Sequence, residues 1–205
     1  MTKELIKTST ATPSATHDAI AQKLEQAFAI YGFATPNVAT LKEHSGTTLK
    51  TLYKYFPSKE AMVIGALHYR HKRYIAFLEQ DSPINHKITS VHDANTLLLH
   101  IFTRLALWLE TYAPRGCMSL QALACYPNNE KIQNAVQSHK LEVKQWLTEN
   151  FNDLTIATAA SQKDFVETIF ILHEGMASAW PSSQHAALKA AHQAISILVE
   201  KLTQK

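Results

Sequence analysis

Apolar residues recur at helical spacing along most of the chain. The first stretch repeats at i, i+4, i+7, i+8 and i+11, and its members are Ile20, Leu24, Ala27, Phe28 and Tyr31. This spacing places them on one face of a helix. Gly32 follows directly, and a glycine just beyond the last turn is a common end signal. No segment shows the sustained alternation of apolar and polar residues that is typical of a strand. The pattern therefore predicts an all-α fold.

Capping residues, glycines and prolines divide the rest of the chain. Asn37 and Thr48 (or Thr47) are suitable N-caps for two short helices, because their side chains can accept hydrogen bonds from first-turn N–H groups. Gly46 separates these helices, and Ser58 caps a long fourth one. About nine helices are expected, and those after the first cover residues 38–45, 48–56, 59–80, 95–112, 117–125, a seventh that begins after Pro127, 161–180 closed by Pro181, and 183–202.

Composition indicates a cytoplasmic protein that does not associate with a membrane. With 205 residues, of which 46% are hydrophobic and 18% charged, the chain is long enough to bury a core. Residues 1–15 are rich in Thr, Ser and Ala and are interpreted as a flexible arm. They lack the apolar core of a signal peptide. The longest apolar stretch, residues 97–109, is too short for a membrane span and contains His100 and Arg104.

Positive charge is concentrated in the first part of the chain. Residues 1–80 contain ten Lys and Arg against six Asp and Glu, whereas residues 81–205 contain ten against eleven. An anionic partner for the first part would explain this difference. A solvated surface of mixed charge explains it equally well.

The most specific pattern lies in residues 35–60. Two short helices joined at Gly46, with a long helix on either side, match a helix-turn-helix, whose second helix enters the major groove of DNA. There Lys50 can donate to guanine, and Leu49 can contact a thymine methyl group, while hydroxyls and ammonium groups serve the phosphates. Packing of one tyrosine and solvation of the lysines are the alternatives. The predicted DNA-binding residues are Asn37, Thr48, Leu49, Lys50, Thr51, Tyr53, Lys54, Tyr55 and Lys59.

The run TLYKYFPSKEAM closely resembles the helix-turn-helix signature of the TetR family of bacterial transcriptional regulators, and the preceding GFATPNVATLKEHSG fits the same frame. The resemblance implies a homodimer that binds a palindromic operator on double-stranded DNA, usually as a repressor, and that is released by a small-molecule effector in the C-terminal bundle. No Gly-rich phosphate loop, nucleophile elbow or catalytic-triad spacing stands out in the sequence, so no cofactor and no enzymatic activity are expected. The expected division is an arm (1–15), a DNA-binding domain (16–58), and a connecting helix with an effector-binding and dimerisation bundle (59–205).

Three positions depart from the family pattern. Lys42 stands where the family prefers a small alanine, Thr47 where it has valine, and Lys50 where glycine is frequent. Thr47 retains most of the volume of valine, and Lys50 adds a cation directed at the groove. Because burial of an unpaired ammonium group is costly, Lys42 must extend to the edge of the motif.

The later helices offer a candidate effector pocket. Apolar walls with a few polar groups suit a small organic ligand, although ordinary core packing is the alternative for most of these positions. The predicted pocket residues are Phe102, Leu105, Trp108, Leu109, Tyr112, Met118, Gln121, Trp146, Phe170 and His173.

The last two helices carry more apolar surface than one chain requires, with small residues that permit close helix approach. A four-helix interface between two chains would use this surface, and burial within a monomeric bundle is the alternative. The predicted interface residues are Phe165, Ile169, Met176, Trp180, Leu188, Ala191, Ile195 and Leu198.

Two further interpretations remain open. Cys117 follows Arg115 at a predicted helix start, where a thiol can act as a sensor of oxidants or electrophiles; a small buried apolar role is the alternative. The second open interpretation is a helical binding protein or enzyme that does not use its helix-turn-helix for DNA. The eleven histidines include pairs on one helical face, such as His68 with His71, but no His-Glu-x-x-His pattern, so no metal site is expected.

Overall fold

The structure is a computed structural model that describes residues 13–154 and 159–203. Within these residues all regular secondary structure is helical, which confirms the predicted all-α class. The helices are α1 (Pro13–Tyr31), α2 (Val38–Ser45), α3 (Leu49–Tyr55), α4 (Lys59–Glu79), α5 (Val91–Tyr112), α6 (Met118–Cys125), α7 (Glu130–Asn150), α8 (Ala159–Ser183) and α9 (His185–Thr203).

Three predicted boundaries were wrong. Residues 13–15 belong to α1 rather than to the arm, of which residues 1–12 lie outside the described part. Helix α5 begins at Val91 rather than Asn95, because the Ser90 hydroxyl accepts a hydrogen bond from the N–H of Asp93 at 3.1 Å and caps the helix. Pro181 lies inside α8 instead of closing it. A proline inside a helix removes one N–H hydrogen bond and its ring crowds the carbonyl four residues earlier. The helix nevertheless continues, and the next turn is kept by the bond from Gln184 N to Trp180 O at 3.0 Å.

The chain forms two compact units that divide between Tyr69 and Arg70, inside α4. The expected boundary lay before Lys59. The difference arises because the first half of α4 contributes buried side chains to the first unit, among them Met62 and Val63. The other buried residues of this unit include Leu24, Phe28, Phe33, Leu41, Leu52 and Phe56.

Gly65 marks the tightest approach in the first unit. A Cβ atom at this position would lie 2.3 Å from Cε1 of Phe56, whose ring is buried. We expect Gly65→Ala to lower the free energy of unfolding by about 1–3 kcal/mol, because the ring must be displaced. Gly175→Ala is the matched control, since no atom lies within 4 Å of its added Cβ; it should stabilise the protein by up to about 1 kcal/mol through helix propensity. Urea unfolding measures both, and equal shifts would contradict this packing.

Helix α5 lies at the centre of the second unit. Its buried residues include Leu98, Ile101, Phe102 and Leu105, as its nearly continuous apolar sequence predicts. The other members of this core come from the second half of α4 and from α7, α8 and α9. Among the described residues, no helix is long and apolar enough to cross a membrane.

Two arginines join the ends of α4 and α5. Arg70 donates to the backbone oxygen of Tyr112 at 3.0 Å, at the last residue of α5. Arg104 donates from Nε to the backbone oxygen of Phe77 at 3.0 Å, in the last turn of α4. The last carbonyls of a helix have no hydrogen-bond partner within the helix. Arg70 of α4 supplies a donor to one such carbonyl of α5, and Arg104 of α5 supplies a donor to one of α4.

Most of the residues predicted to form a dimer interface are buried within the chain itself. Phe165, Ile169, Met176, Trp180, Ala191 and Ile195 are at most 3% exposed. They cover α5 and one another in the core of the second unit, so they are not available to a partner in this arrangement. Leu188 and Leu198 are partly buried against the same core. The outward positions of these helices are instead Ile171 and Ile197, which are 60% and 58% exposed.

Candidate functional site

Local capping fixes the geometry of the helix-turn-helix. The side chain of Asn37 accepts from Thr40 N at 2.9 Å and caps α2. Gly46 ends α2 in the left-handed region at φ 64°, which glycine adopts without strain. The Thr48 hydroxyl accepts from Thr51 N at 3.1 Å and caps α3. The turn between α2 and α3 is therefore defined by the residues that the sequence singled out.

Helix α3 exposes one face and buries the other. Leu52 is fully buried, whereas Leu49 and Tyr53 are 47% and 41% exposed. We call the exposed set the recognition face; it consists of Thr48, Leu49, Lys50, Tyr53 and Lys54. Thr51 and Tyr55 are half-buried. The ring of Tyr55 lies edge-on to His17 of α1, with the centroids 6.2 Å apart, so Tyr55 is the tyrosine that packs.

The cations around this face are held in different ways. Lys42 is exposed, so it avoids the cost of a buried ammonium group, as predicted from its position. Lys59 is half-buried and donates to the backbone oxygen of Ala34 at 3.2 Å. Ser58 caps α4 by accepting from Ala61 N at 3.0 Å. Lys59 therefore supports the loop before α2, and at this helix start the N–H of Ala61 already has a partner.

A pair that the sequence did not reveal joins α1 to α2. His44 Nε2 and the Tyr31 hydroxyl are hydrogen-bonded at 2.8 Å. Both residues lie at helix ends, where no periodic pattern indicates which residue they meet.

The second unit contains a cavity of about 40 Å³. Five of the ten predicted pocket residues line it, namely Leu105, Trp108, Leu109, Met118 and His173, and Cys117 lines it as well. A water molecule needs roughly 10–15 Å³ by this kind of measure. The cavity thus has room for a few waters, and a larger ligand must displace wall side chains such as Met118.

The other five predicted pocket residues do not line the cavity. Phe102 is fully buried in the core, and Phe170 is packed against it. Tyr112 is 37% exposed. The Gln121 amide donates to Arg115 O at 3.1 Å, and Trp146 Nε1 donates to a carboxylate oxygen of Glu79 at 2.8 Å. These five residues lie on helices, as their spacing predicted, but their side chains contact other parts of the protein instead of the cavity.

A chain of hydrogen bonds runs along one wall of the cavity. His173 Nδ1 lies 3.1 Å from Oε1 of Glu174, and Nε2 is bonded to the Tyr74 hydroxyl. Because a carboxylate can only accept, Nδ1 carries a proton. In the neutral imidazole Nε2 is then the acceptor, and Tyr74 donates to it. Lys140 donates to Oε2 of Glu174 at 2.5 Å, and its Nζ also lies 3.7 Å from Cys117 Sγ. Residues from α4, α7 and α8 are thereby connected.

Burial and partners shift the pKa values along this chain. The pKa of Tyr74 is raised well above its usual value, first by burial and then by the charge of Glu174. Burial alone would raise the pKa of Glu174, but the hydrogen bond from His173 and the charge of Lys140 outweigh it and lower that pKa to about 2. Tyr74 therefore remains a neutral donor and Glu174 remains ionised at neutral pH.

A second histidine, His139, lies beside this chain. Its Nδ1 is 3.3 Å from the Ser119 hydroxyl, and its ring centroid is 3.9 Å from that of His71. Burial is the main reason why its pKa is lowered to about 2, and the neighbouring His71 and Lys140 lower it further. His71 in turn is bonded through Nε2 to Glu142 at 2.5 Å. His139 is thus a neutral wall of the cavity.

We expect acid to destabilise the protein through His139. The unfolded imidazole takes up a proton near pH 6.5, whereas the folded one stays neutral down to about pH 2. The contribution of His139 to the free energy of unfolding is therefore constant above about pH 6.5. Below pH 6.5 the free energy of unfolding falls by up to about 1.4 kcal/mol per pH unit. In His139→Gln this fall should largely disappear between pH 6.5 and 5, as followed by urea unfolding. His92→Gln, at an exposed position on α5, is the control and should keep the wild-type slope; identical slopes in all three proteins would contradict the assignment.

Sequence reasoning found His173 but missed Arg70, Tyr74 and Lys140 in the polar part of the cavity. Arg70 and Tyr74 have the i, i+4 spacing that places them on one face of α4, and that signal is visible in the sequence. Their partners Lys140 and Glu174 come from α7 and α8, and no local pattern brings these together. Among the described residues, no group of three or more His, Cys, Asp or Glu could hold a metal ion.

The fold is shared with solved transcriptional regulators. A TetR-family transcriptional regulator from Streptomyces coelicolor gives a TM-score of 0.74 at 15% identity, over 93% of this chain and 97% of that one. A TetR transcription regulator from Haloarcula marismortui gives 0.71 at 15% identity, over 92% and 98%. A third, from Cytophaga hutchinsonii, gives 0.67 at 17% identity, over 99% and 100%. The chain therefore has the fold of TetR-family regulators, as its helix-turn-helix sequence predicted.

No protein-family profile and no curated protein matches the sequence. At identities of 15–17% the structural likeness establishes the fold. The activity has to be argued from the residues themselves.

Proposed function

We propose that the protein is a DNA-binding transcriptional regulator, and that it acts as a ligand-responsive repressor on a palindromic operator. The observation that carries the proposal is the recognition face, where Lys50 and Lys54 stand exposed beside Leu49 and Tyr53. Cations, hydroxyls and a small apolar group on one side of a helix are what readout of a major groove requires. The fold shared with transcriptional regulators supports the same conclusion.

Each side chain has a distinct role in this proposal. Lys50, in the first turn of α3, donates to guanine O6 and N7, and Leu49 contacts a thymine methyl group. Lys54 and the Tyr53 hydroxyl donate to phosphates, which position the protein without reading sequence. Lys59 contributes positive charge while it keeps its bond to Ala34. Asn37 acts on DNA indirectly, because its side chain is used to cap α2.

A homodimer would present two recognition faces. In this proposal they lie about 34–36 Å apart or a multiple of it, which matches successive major grooves on one side of the duplex and demands a palindrome. Exposed Ile171 on α8 and Ile197 on α9 support an interface on the outward sides of these helices. Exposed apolar side chains mark a protein–protein interface where they belong to a contiguous patch.

The response to ligand would pass through α4. Two residues of this helix, Arg70 and Tyr74, line the cavity. The helix runs without a break from Lys59 to Glu79 and thus contributes to both compact units. An effector can favour the released state only if it binds that state more tightly, and a ligand that moves Arg70 or Tyr74 meets this condition.

Affinity for DNA at several salt concentrations tests the proposal. Selection from random duplexes with the full chain should enrich a palindrome. The logarithm of the binding constant for this palindrome should fall linearly with the logarithm of the salt concentration, with a slope of about −0.9 per phosphate contact. Enrichment of no sequence, together with no salt-dependent affinity, would refute DNA binding. That outcome would favour the alternative of a helical binding protein or enzyme whose helix-turn-helix does not serve DNA.

One contact favours a second candidate, a thiol sensor of oxidants or electrophiles. Lys140 Nζ lies 3.7 Å from Cys117 Sγ, and Cys117 precedes α6 on the cavity wall. A cation and a helix start are the surroundings that reactive cysteines use. Cys117→Ser should then abolish release from DNA by peroxide, whereas Cys125→Ser, at an exposed cysteine, should not. Unchanged release in Cys117→Ser would exclude this mechanism.

A further inference from the structure

The charges that line the cavity do not cancel. Among the described lining residues, Arg70 and Lys140 are cationic and only Glu174 is anionic. His139 adds no charge at neutral pH, because burial lowers its pKa to about 2. The wall therefore carries one excess positive charge. A site that is partly shielded from water attracts a ligand of opposite charge more strongly than an exposed surface does.

Each of the two cations in the wall is held by other groups of the protein. The guanidinium group of Arg70 lies 4.9 Å from the ring centroid of Trp108, and it also donates to Tyr112 O. Lys140 is bound to Glu174 and lies near Cys117. Arginine is suited to a planar carboxylate because two parallel N–H groups can bind both oxygens.

The remaining wall is apolar. Leu105, Leu109, Met118 and Ala177 line the cavity together with the indole of Trp108. The volume of about 40 Å³ limits the size of the ligand body, and Met118 is a flexible residue that can move aside. A purely inorganic anion would leave these apolar side chains without a partner.

From this wall we infer that the effector is a small organic monocarboxylate with an apolar or aromatic body, bound with its carboxylate between Arg70 and Lys140 and its body against Trp108. This inference rests on the proposed regulatory function, since it names the chemical class of the effector. The carboxylate competes with Glu174 for Lys140. Binding thereby loosens the chain that connects Lys140 and Glu174 to His173 and Tyr74 on α4.

Calorimetry on the wild-type protein without DNA tests the ligand class. Benzoate, benzamide and benzylamine share a body and differ in charge, and inorganic phosphate provides charge without a body. Benzoate is expected to bind at least about tenfold more tightly than each of the other three. Equal binding of benzoate and benzamide, preference for benzylamine or phosphate, or no benzoate binding at millimolar concentration would each overturn the inference.

Paired variants test the location. Arg70→Met and Lys140→Met should each weaken benzoate binding about tenfold or more, because each removes a charge-assisted hydrogen bond. The matched controls are Lys72→Met and Lys144→Met, which remove a cation from the same helices at positions outside the lining; they should leave the affinity within about twofold. Loss of affinity in the controls as well would overturn the location.

Glu174→Gln separates charge from a merely structural effect. It raises the excess positive charge and frees Lys140, so benzoate binding should tighten about threefold or more. A damaged cavity would bind more weakly, and that result would also contradict the inference. These measurements need no DNA. A protein that binds its selected duplex but not benzoate would refute only the effector class, whereas one that binds benzoate but no duplex would refute the regulatory function.

Discussion

Lys50→Ala is expected to lower affinity for the selected duplex by about 10–100-fold, because a bidentate contact to guanine contributes about 1–3 kcal/mol of discrimination. Lys50 is exposed in the first turn of α3, so its removal leaves no cavity and should not destabilise the fold. The loss should be concentrated at one base pair of each half-site. Titrations against the selected duplex and against duplexes changed at single positions measure both effects.

Two controls accompany this prediction. Lys59→Ala should weaken binding to all duplexes nearly equally, since the positive charge that Lys59 contributes beside the backbone carries no sequence information. Lys189→Ala removes an exposed cation of α9 and should leave affinity unchanged. If Lys50→Ala binds every duplex as the wild type does, α3 does not read bases.

Phe102→Ala is expected to lower the free energy of unfolding by about 3–5 kcal/mol, because the deletion leaves a cavity in a fully packed core. Phe102 is 0% exposed and lies within the core of the second unit, not on the ligand cavity. Its replacement should therefore act on stability first. Urea unfolding measures the change.

Leu107→Ala is the matched control for Phe102→Ala. It lies on the same helix, is 43% exposed, and should cost less than about 1 kcal/mol. If Phe102→Ala is as stable as the wild type, the packing of α5 at the centre of the unit is wrong.

The helices and the turn of the recognition motif were predictable because their signals are local. Asn37 caps α2 and Gly46 ends it, as the sequence predicted. Of the two threonines that could cap α3, Thr48 is the one that does. The start of α5 was missed because its first turn carries polar His92 and Asp93 instead of an apolar stripe. Pro181 was taken as a stop, yet a single missing N–H does not end a helix whose next turn is intact.

The sites were predictable only where the residues follow one another along the chain. The recognition face is one helix, so periodicity located it. The cavity draws Tyr74, Lys140 and Glu174 from three helices, and the face that each helix turns to the others depends on tertiary packing. The same reason explains why the interface stripes of α8 and α9 were misjudged, since an apolar stripe does not tell whether its own chain or a second one covers it.

Hydrogen exchange of the full chain, measured with and without the selected duplex, tests the contact between α3 and DNA most directly. If the recognition face lies against base edges, added protection should be concentrated in residues 46–56, and Lys50→Ala should diminish it. Binding of the duplex with unchanged exchange in that segment, and with protection confined to residues 70–205, would contradict the account.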